Sequence, residues 1–216
     1  LLIEGGYSHG GLIALERGSI DLAMMSNDLS SENNINLSEH LIGIETVGII
    51  VNESSMIKNI SSVDAQKIFQ REIVNWKELG GPDATINLYS RQDNETTKKT
   101  IEHVLLNNEL VHESAQVLSS SQAMAEQVSL DPFAIGFISQ QGYVQAKNPS
   151  LKIRPLSIDG VAMDERSINL ALYPLVRQLF LVLRADSSEI AKKFVAFVIS
   201  PEGQTLLADS GALRVR

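Results

Sequence analysis

The chain has 216 residues, 44% of them hydrophobic and 20% charged, with no cysteine and a formal net charge of −8. That length suits one large domain or two lobes of about 100 residues each, and the composition is that of a folded globular protein. The charge excludes a nucleic-acid surface, which needs dense Lys and Arg, and the lack of cysteine excludes disulfides, thiol catalysis and Cys-ligated metals. No apolar run approaches the roughly 20 residues of a membrane helix, and the opening residues do not read as a signal peptide, as expected of a trimmed mature form.

The first predicted strand is Leu1 to Ile3, followed by Gly6-Tyr7-Ser8-His9-Gly10 and a helix opening over Gly11 to Leu15. Gly-x-Ser-x-Gly between a strand and a helix is the pattern of a nucleophile elbow, with Ser8 as the attacking hydroxyl. A helix start rich in small residues is equally an anion site. Its first N–H groups have no partner within the helix, and the peptide dipoles are positive there. Elbow hydrolases place their His late in the chain. Here the histidines are His9, His40, His103 and His112, and more than a hundred residues follow the last of them. His9 diverges from its neighbour Ser8 along the backbone, so a serine hydrolase with its elbow at Ser8 ranks last among the functional readings.

Next come two buried strands, "IDLAMM" and "ETVGIIVN", each a short aliphatic run closed by Ser, Asn or Asp. "SSVDAQKIFQ" is a helix capped by its hydroxyls, with Val63, Ile68 and Phe69 on its apolar face. "NETTKKTIEHVLLNN" is another, with Ile101, Val104 and Leu105 on one face and Asn107 and Asn108 as its stop. "FAIGFIS" is a strand that runs into a Gln-Gln-Gly turn, and "YPLVRQLFLVLR" a strand with Pro174 at its beginning. "DSSEIAKKFVAFVIS" carries a capping box of Asp186 with Glu189, and Ile190, Phe194, Phe197 and Val198 on one side. In "SPEGQTLLADSGALRVR", Ser200 is the N-cap, Pro201 the first helical residue and Gly211 the stop. Strands and helices interleave, so the class is α/β. His103, Glu109, His112 and Glu113 have metal-ligand chemistry without a recognised spacing, and read as a solvated helix end. Trp76 reads as a packing residue.

In the order of its motifs the chain resembles the phosphate-binding proteins of ABC transporters, in the type 2 periplasmic binding protein superfamily. The resemblance rests on five stretches. "GGYSHGGLIALERGSIDLAMMSNDLS" is similar to the family's Gly-Ser-rich turn, helix and following strand end. "VGIIVNESSMIKNISSVDAQKIFQREIVNWKELGG" is similar to its most distinctive stretch, and "AIGFIS", "YPLVRQLFLVLR" and "FVAFVISPEGQ" follow in the family's order. The resemblance implies a two-lobed α/β fold, with residues 1–50 and 170–216 in one lobe and 51–169 in the other, and a ligand held in the cleft. It also implies that Ser8 and Arg91 face one another across that cleft.

Three loops form the implied site. The first is Ser8 with Gly10 and Gly11, whose missing side chains let N–H groups approach an oxyanion. The second is Ser26 with Asn27. The third runs from Arg91, a bidentate donor, to Glu95, Thr96 and Thr97. Bland alternatives stand beside them: a plain turn at Ser8, a strand end at Ser26 and Asn27, and an exposed Arg91 paired with Asp93 or Glu95. The chain departs from the family where Glu95-Thr96-Thr97 replaces Ser-Gly-Thr and where Asn27 replaces an Arg. The family's opening strand is also unmatched, which leaves one strand fewer in the first lobe. The function implied is a non-enzymatic solute-binding protein outside the cytoplasm, periplasmic or extracellular, without cofactor or metal. Its partners would be phosphate or a related oxyanion and an ABC permease. The rivals are a drifted sensory or interaction module of the same fold, and the effector domain of a transcription regulator.

Overall fold

The computed structural model describes residues 8–25, 36–92, 96–146, 150–170, 172–209, 212, 213 and 215; the strand expected over Leu1 to Ile3 and the stop at Gly211 lie outside them. In chain order the elements are α1 (Ser8–Glu16), β1 (Ala23–Met25), β2 (Leu37–Asn52), β3 (Asn59–Ile60), α2 (Ser62–Phe69), a 3-10 turn (Trp76–Leu79), β4 (Asn87–Arg91), α3 (Thr96–Thr100) running into a π-helical turn (Ile101–Leu105), β5 (Gln116–Leu118), α4 (Ser121–Leu130), β6 (Ala134–Ser139), α5 (Gln140–Gln145), β7 (Ile153–Pro155), β8 (Ser157–Ile158), α6 (Glu165–Asn169), β9 (Val176–Arg184), α7 (Glu189–Ile199) and α8 (Pro201–Asp209). The α/β class read from the alternation is the class observed. The chain divides into two compact units, Leu1–Glu45 with Arg177–Arg216, and Thr46–Val176.

In the uninterrupted unit the end of β2 runs antiparallel to β6, from Val47 opposite Ser139 to Val51 opposite Ile135. β6 is parallel to β4 and β4 is parallel to β5, in the order β2-β6-β4-β5. The run Ala-Ile-Gly-Phe-Ile of β6 is buried on both faces, as a central strand requires. Ala134 and Ile138 pack with Met124, Ala125 and Val128 of α4, and Phe137 meets Phe69 of α2 with ring centroids 5.8 Å apart. On α2, capped by Ser61, the buried residues are Ala65, Ile68 and Phe69, whereas Val63 is 56% exposed. Five residues at 100° each put Val63 about 140° round from Ile68, so hydrophobicity alone misplaced it.

The stretch "NWKELGG" is a structural clasp. Asn75 accepts from Lys77 N, Glu78 accepts from Asn75 N, and Gly80 closes the turn with φ of 81°. Trp76 is 2% exposed and donates from Nε1 to the Phe133 carbonyl at 2.9 Å. The helix after the third loop ends as expected, at Asn107 and Asn108 with φ of 53° and 72°. The Gln-Gln-Gly segment is not a turn but the first turn of α5, because the Ser139 hydroxyl accepts from Gly142 N and caps a helix there.

In the other unit β9 is antiparallel to β1 and lies between it and β2. Its two faces feed two cores. Phe180 and Val182 join Ala23, Met25, Leu12 and Leu15, while Leu181 and Leu183 join Ile42, Ala191, Val195 and Val198. The cap of α7 is Ser188, accepting from Ala191 N, and not Asp186, which instead binds Arg184 Nε at 2.8 Å. The buried stripe of α7 is Ala191, Val195 and Val198. Ile190, Phe194 and Phe197, one position earlier and so about 100° round, are 81%, 39% and 42% exposed. Two apolar stripes lie side by side here, and the sequence pattern picked out the outer one. Ser200 caps α8 by accepting from Gly203 N, with Pro201 as its first residue.

Candidate functional site

The three parallel strands β5, β4 and β6 bring their carboxyl ends to one edge of their sheet. Arg91 is the last residue of β4 and is paired in register with Leu118, the last of β5. The chain leaves β5 through Ser119 and Ser120 into α4, and leaves β6 through Ser139 into α5. Crevices at the carboxyl ends of parallel strands are where open α/β sheets bind ligands.

Arg91 is only 5% exposed. Its Nη1 donates to Ser121 Oγ at 3.3 Å and its Nη2 to the Ser119 carbonyl at 3.4 Å. The exposed, solvated arginine is thereby overturned: the strand ends in the interior, and the guanidinium is held by main chain and hydroxyl. α3 starts at Thr96, whose carbonyl accepts from Thr100 Oγ1 at 3.0 Å. Thr97 is 7% exposed, and its hydroxyl has no hydrogen-bond partner among the described residues. A buried hydroxyl without a partner is costly, and one in the first turn of a helix can donate to an anion. Lys98, also buried, reaches Glu102 Oε1 at 3.6 Å.

In the other unit α1 begins at Ser8, three residues earlier than expected, so Gly10 and Gly11 belong to its first turn. A β-carbon at Gly10 would meet nothing within 4 Å, whereas one at Gly11 would lie 3.7 Å from Ala23 Cβ. Ser26, Asn27 and Glu95 lie outside the described residues. Thus α3, which carries Thr96 and Thr97, packs against β4, which ends at Arg91, and Ser8, Gly10 and Gly11 share the first turn of α1. Ser119, Ser121 and Gly142 were missed; a run of three serines between a strand and a helix was the available signal.

His103 Nδ1 is 2.7 Å from Asn108 Oδ1, His112 Nδ1 is 2.9 Å from Ser114 Oγ, and Glu109 accepts from Gln70. No group of three or more His, Cys, Asp or Glu that could hold a metal exists among the described residues. A cavity of about 180 Å³, lined by Val63, Gln66, Val104, Leu105 and Leu175 among others, contains none of the predicted site residues.

The sequence profile of the PBP superfamily domain matches residues 1–202. The chain is 30% identical over 205 residues to the phosphate-binding protein PstS of Borreliella burgdorferi, covering 90% of this chain and 72% of that protein. It is 26% identical to PstS of Bacillus subtilis, over 99% of this chain and 70% of that one. Among solved structures, an ABC-type phosphate transport receptor from Vibrio cholerae superposes with a TM-score of 0.85 at 25% identity, covering 96% of this chain and 85% of that one. The fold is that of the type 2 periplasmic binding proteins. The chain belongs to the PBP superfamily and, within it, to the phosphate-binding proteins.

Proposed function

We propose that this protein is an extracytoplasmic solute-binding protein, with lobes 1–50 plus 170–216 and 51–169, that captures phosphate or a similar oxyanion and delivers it to an ABC permease. The observation that carries this reading is a buried Arg91 at the carboxyl end of β4 together with a buried Thr97 in the first turn of α3, the next helix, whose hydroxyl has no partner among the described residues. A charged fork and a hydroxyl are the donors an oxyanion needs. Ser8, Gly10 and Gly11 at the start of α1 supply further donors, and Ser26, Asn27 and Thr96 complete the set. The net charge of −8 makes such local donors necessary, since the overall field repels anions. The protein does no chemistry on its ligand, so Ser8 is a donor and not a nucleophile.

Calorimetric titration with phosphate, sulfate and molybdate tests this. Binding of one of them at micromolar concentration or tighter, lost in Arg91→Ala, is the expected result. Silence toward all three would leave a drifted module of the same fold, and turnover of a chromogenic ester abolished by Ser8→Ala would revive the hydrolase.

A further inference from the structure

The guanidinium of Arg91 can serve a planar, bidentate contact only if its plane is fixed, because a long side chain otherwise spreads over many rotamers. Two acceptors fix it from opposite ends: Ser121 Oγ on Nη1 at 3.3 Å and the Ser119 carbonyl on Nη2 at 3.4 Å. Ser119 is main chain and moves only with its segment. Ser121 is a side chain at the first position of α4, directly after Ser120, which caps that helix by accepting from Ala123 N at 3.0 Å.

What keeps Ser121 in place lies on another helix. Gly142 is buried in the first turn of α5, and a β-carbon there would come within 2.8 Å of both Cβ and Oγ of Ser121 and 3.0 Å of Ile138 Cγ1. Contacts that short do not occur at real β-carbons, and Ser121 Cβ is one bond from a helix backbone, so it cannot swing aside. The Gly142 N–H is in turn tied to Ser139 Oγ at 3.1 Å, which fixes α5 to the end of β6. A methyl at position 142 must therefore displace Ser121, α4 or α5.

We propose that Ser121 is a positioning residue for Arg91, and that Gly142 is a remote determinant of anion affinity because it leaves the Ser121 hydroxyl room to hold the guanidinium plane. This rests on the reading of Arg91 as an anion contact. Gly142 lies outside every loop that the sequence marks as a site, and it would act without touching the ligand.

Two measurements separate this proposal from the reading beneath it. The first needs no ligand: the Nε–Hε resonance of Arg91 in the free protein should shift or broaden in both Ser121→Ala and Gly142→Ala, while thermal melting shows each variant folded. The second is the affinity for inorganic phosphate. Ser121→Ala should weaken it about fivefold, as expected for one ordinary hydrogen bond, and Gly142→Ala at least as much. In a Ser121→Gly background, which removes both Ser121 atoms the new methyl would strike and leaves only the 3.0 Å approach to Ile138 Cγ1, Gly142→Ala should add less than about twofold, the non-additivity of coupled sites. In Arg91→Lys, Ser121→Ala should have no effect. An unchanged Arg91 resonance in Ser121→Ala, or fully additive effects of positions 121 and 142, overturns the proposal. A parent protein that binds no oxyanion sinks the functional reading alone, and the resonance still decides whether Ser121 and Gly142 hold Arg91. Should Gly142→Ala fail to fold, Ser121→Ala, which deletes a single oxygen, carries the test.

Discussion

Gly203 lies so close beneath the end of the preceding helix that a β-carbon on it would overlap the Phe197 carbonyl oxygen and come within 2.7 Å of that of Val198. Glycine inside a helix normally concedes about 1 kcal/mol to alanine. Here the backbone contact reverses the sign. Gly203→Ala should destabilise the protein by about 1–3 kcal/mol, the cost of overpacking, seen as a lower urea midpoint with an unchanged slope. A variant as stable as the parent would mean that α7 and α8 part without strain.

Thr97→Val should separate function from stability. Valine keeps the shape of threonine and removes a buried hydroxyl that has no partner among the described residues. Folding stability should hold or rise, while phosphate affinity falls about tenfold or more, as for a lost hydrogen bond to a charged group. A loss of stability with affinity intact would assign the hydroxyl a purely structural role.

Glu95→Ser should strengthen oxyanion binding if the carboxylate faces the ligand, since two unit charges about 4 Å apart repel by roughly 4 kcal/mol at an effective dielectric of 20. If Glu95 faces solvent, affinity should barely change, and Arg91→Ala should remain the damaging substitution. Titrations of the parent and the Glu95→Ser variant on either side of neutral pH discriminate: if the carboxylate and the ligand share a proton, raising the pH should weaken binding in the parent and do so less in the serine variant.

Tyr173 is 1% exposed and its hydroxyl has no partner among the described residues. Burial holds its pKa well above the ordinary tyrosine value of 10.0, and burial also raises Tyr89 and Tyr143. On alkaline titration the unfolded chain therefore gives up these protons first. Their contribution is intact below pH 10 and is lost as pH rises through the window above it. Tyr173→Phe should leave stability at neutral pH equal or slightly higher and flatten the alkaline decline. Denaturation curves taken on either side of pH 10 check both signs.

On the acid side three exposed carboxylates are held below their ordinary value of 3.8: Asp186 by its bond from Arg184, Asp164 by the main-chain N–H and hydroxyl of Ser167, and Asp83 by Lys77 and then Asn75. A depressed carboxylate stabilises the fold above its unfolded pKa, and that contribution is lost as pH falls below 3.8 through the folded value. Arg184→Met should bring Asp186 back toward 3.8, read directly from its side-chain carbon resonance.

What could be read from sequence followed how far each element advertises itself. The strand at "FAIGFIS" and the helix stop at Asn107 and Asn108 were legible. A short unbroken aliphatic run suits a strand buried on both faces, and asparagine tolerates the left-handed backbone that ends a helix. β4 and α4 went unread, although one delivers Arg91 and the other holds it. "NLYSR" ends in a charge and "SQAMAEQVSL" has a weak apolar face, so neither pattern exceeds that of a loop. On α7 the period was right and the phase wrong, since two adjacent apolar stripes leave hydrophobicity unable to say which is inside. For the candidate site, Arg91 and Thr97 could be named from the order of motifs, but the burial of Arg91 and its hold by Ser121 depend on parallel pairing of segments about 30 residues apart.

One unit is a single run of chain, Thr46–Val176, while the other is stitched from Leu1–Glu45 and Arg177–Arg216. During synthesis the uninterrupted unit can complete its sheet as soon as Val176 has emerged. The stitched unit has to keep α1 and β1 waiting until β9, the sheet partner of β1, is made. In the interval the apolar residues Leu12, Leu15, Ala23 and Met25 lack Phe180 and Val182, which complete their core. The nascent segment from Leu12 to Met25 is thus a target for chaperones and proteases, and a pause in translation anywhere between Met25 and β9 should prolong its exposure.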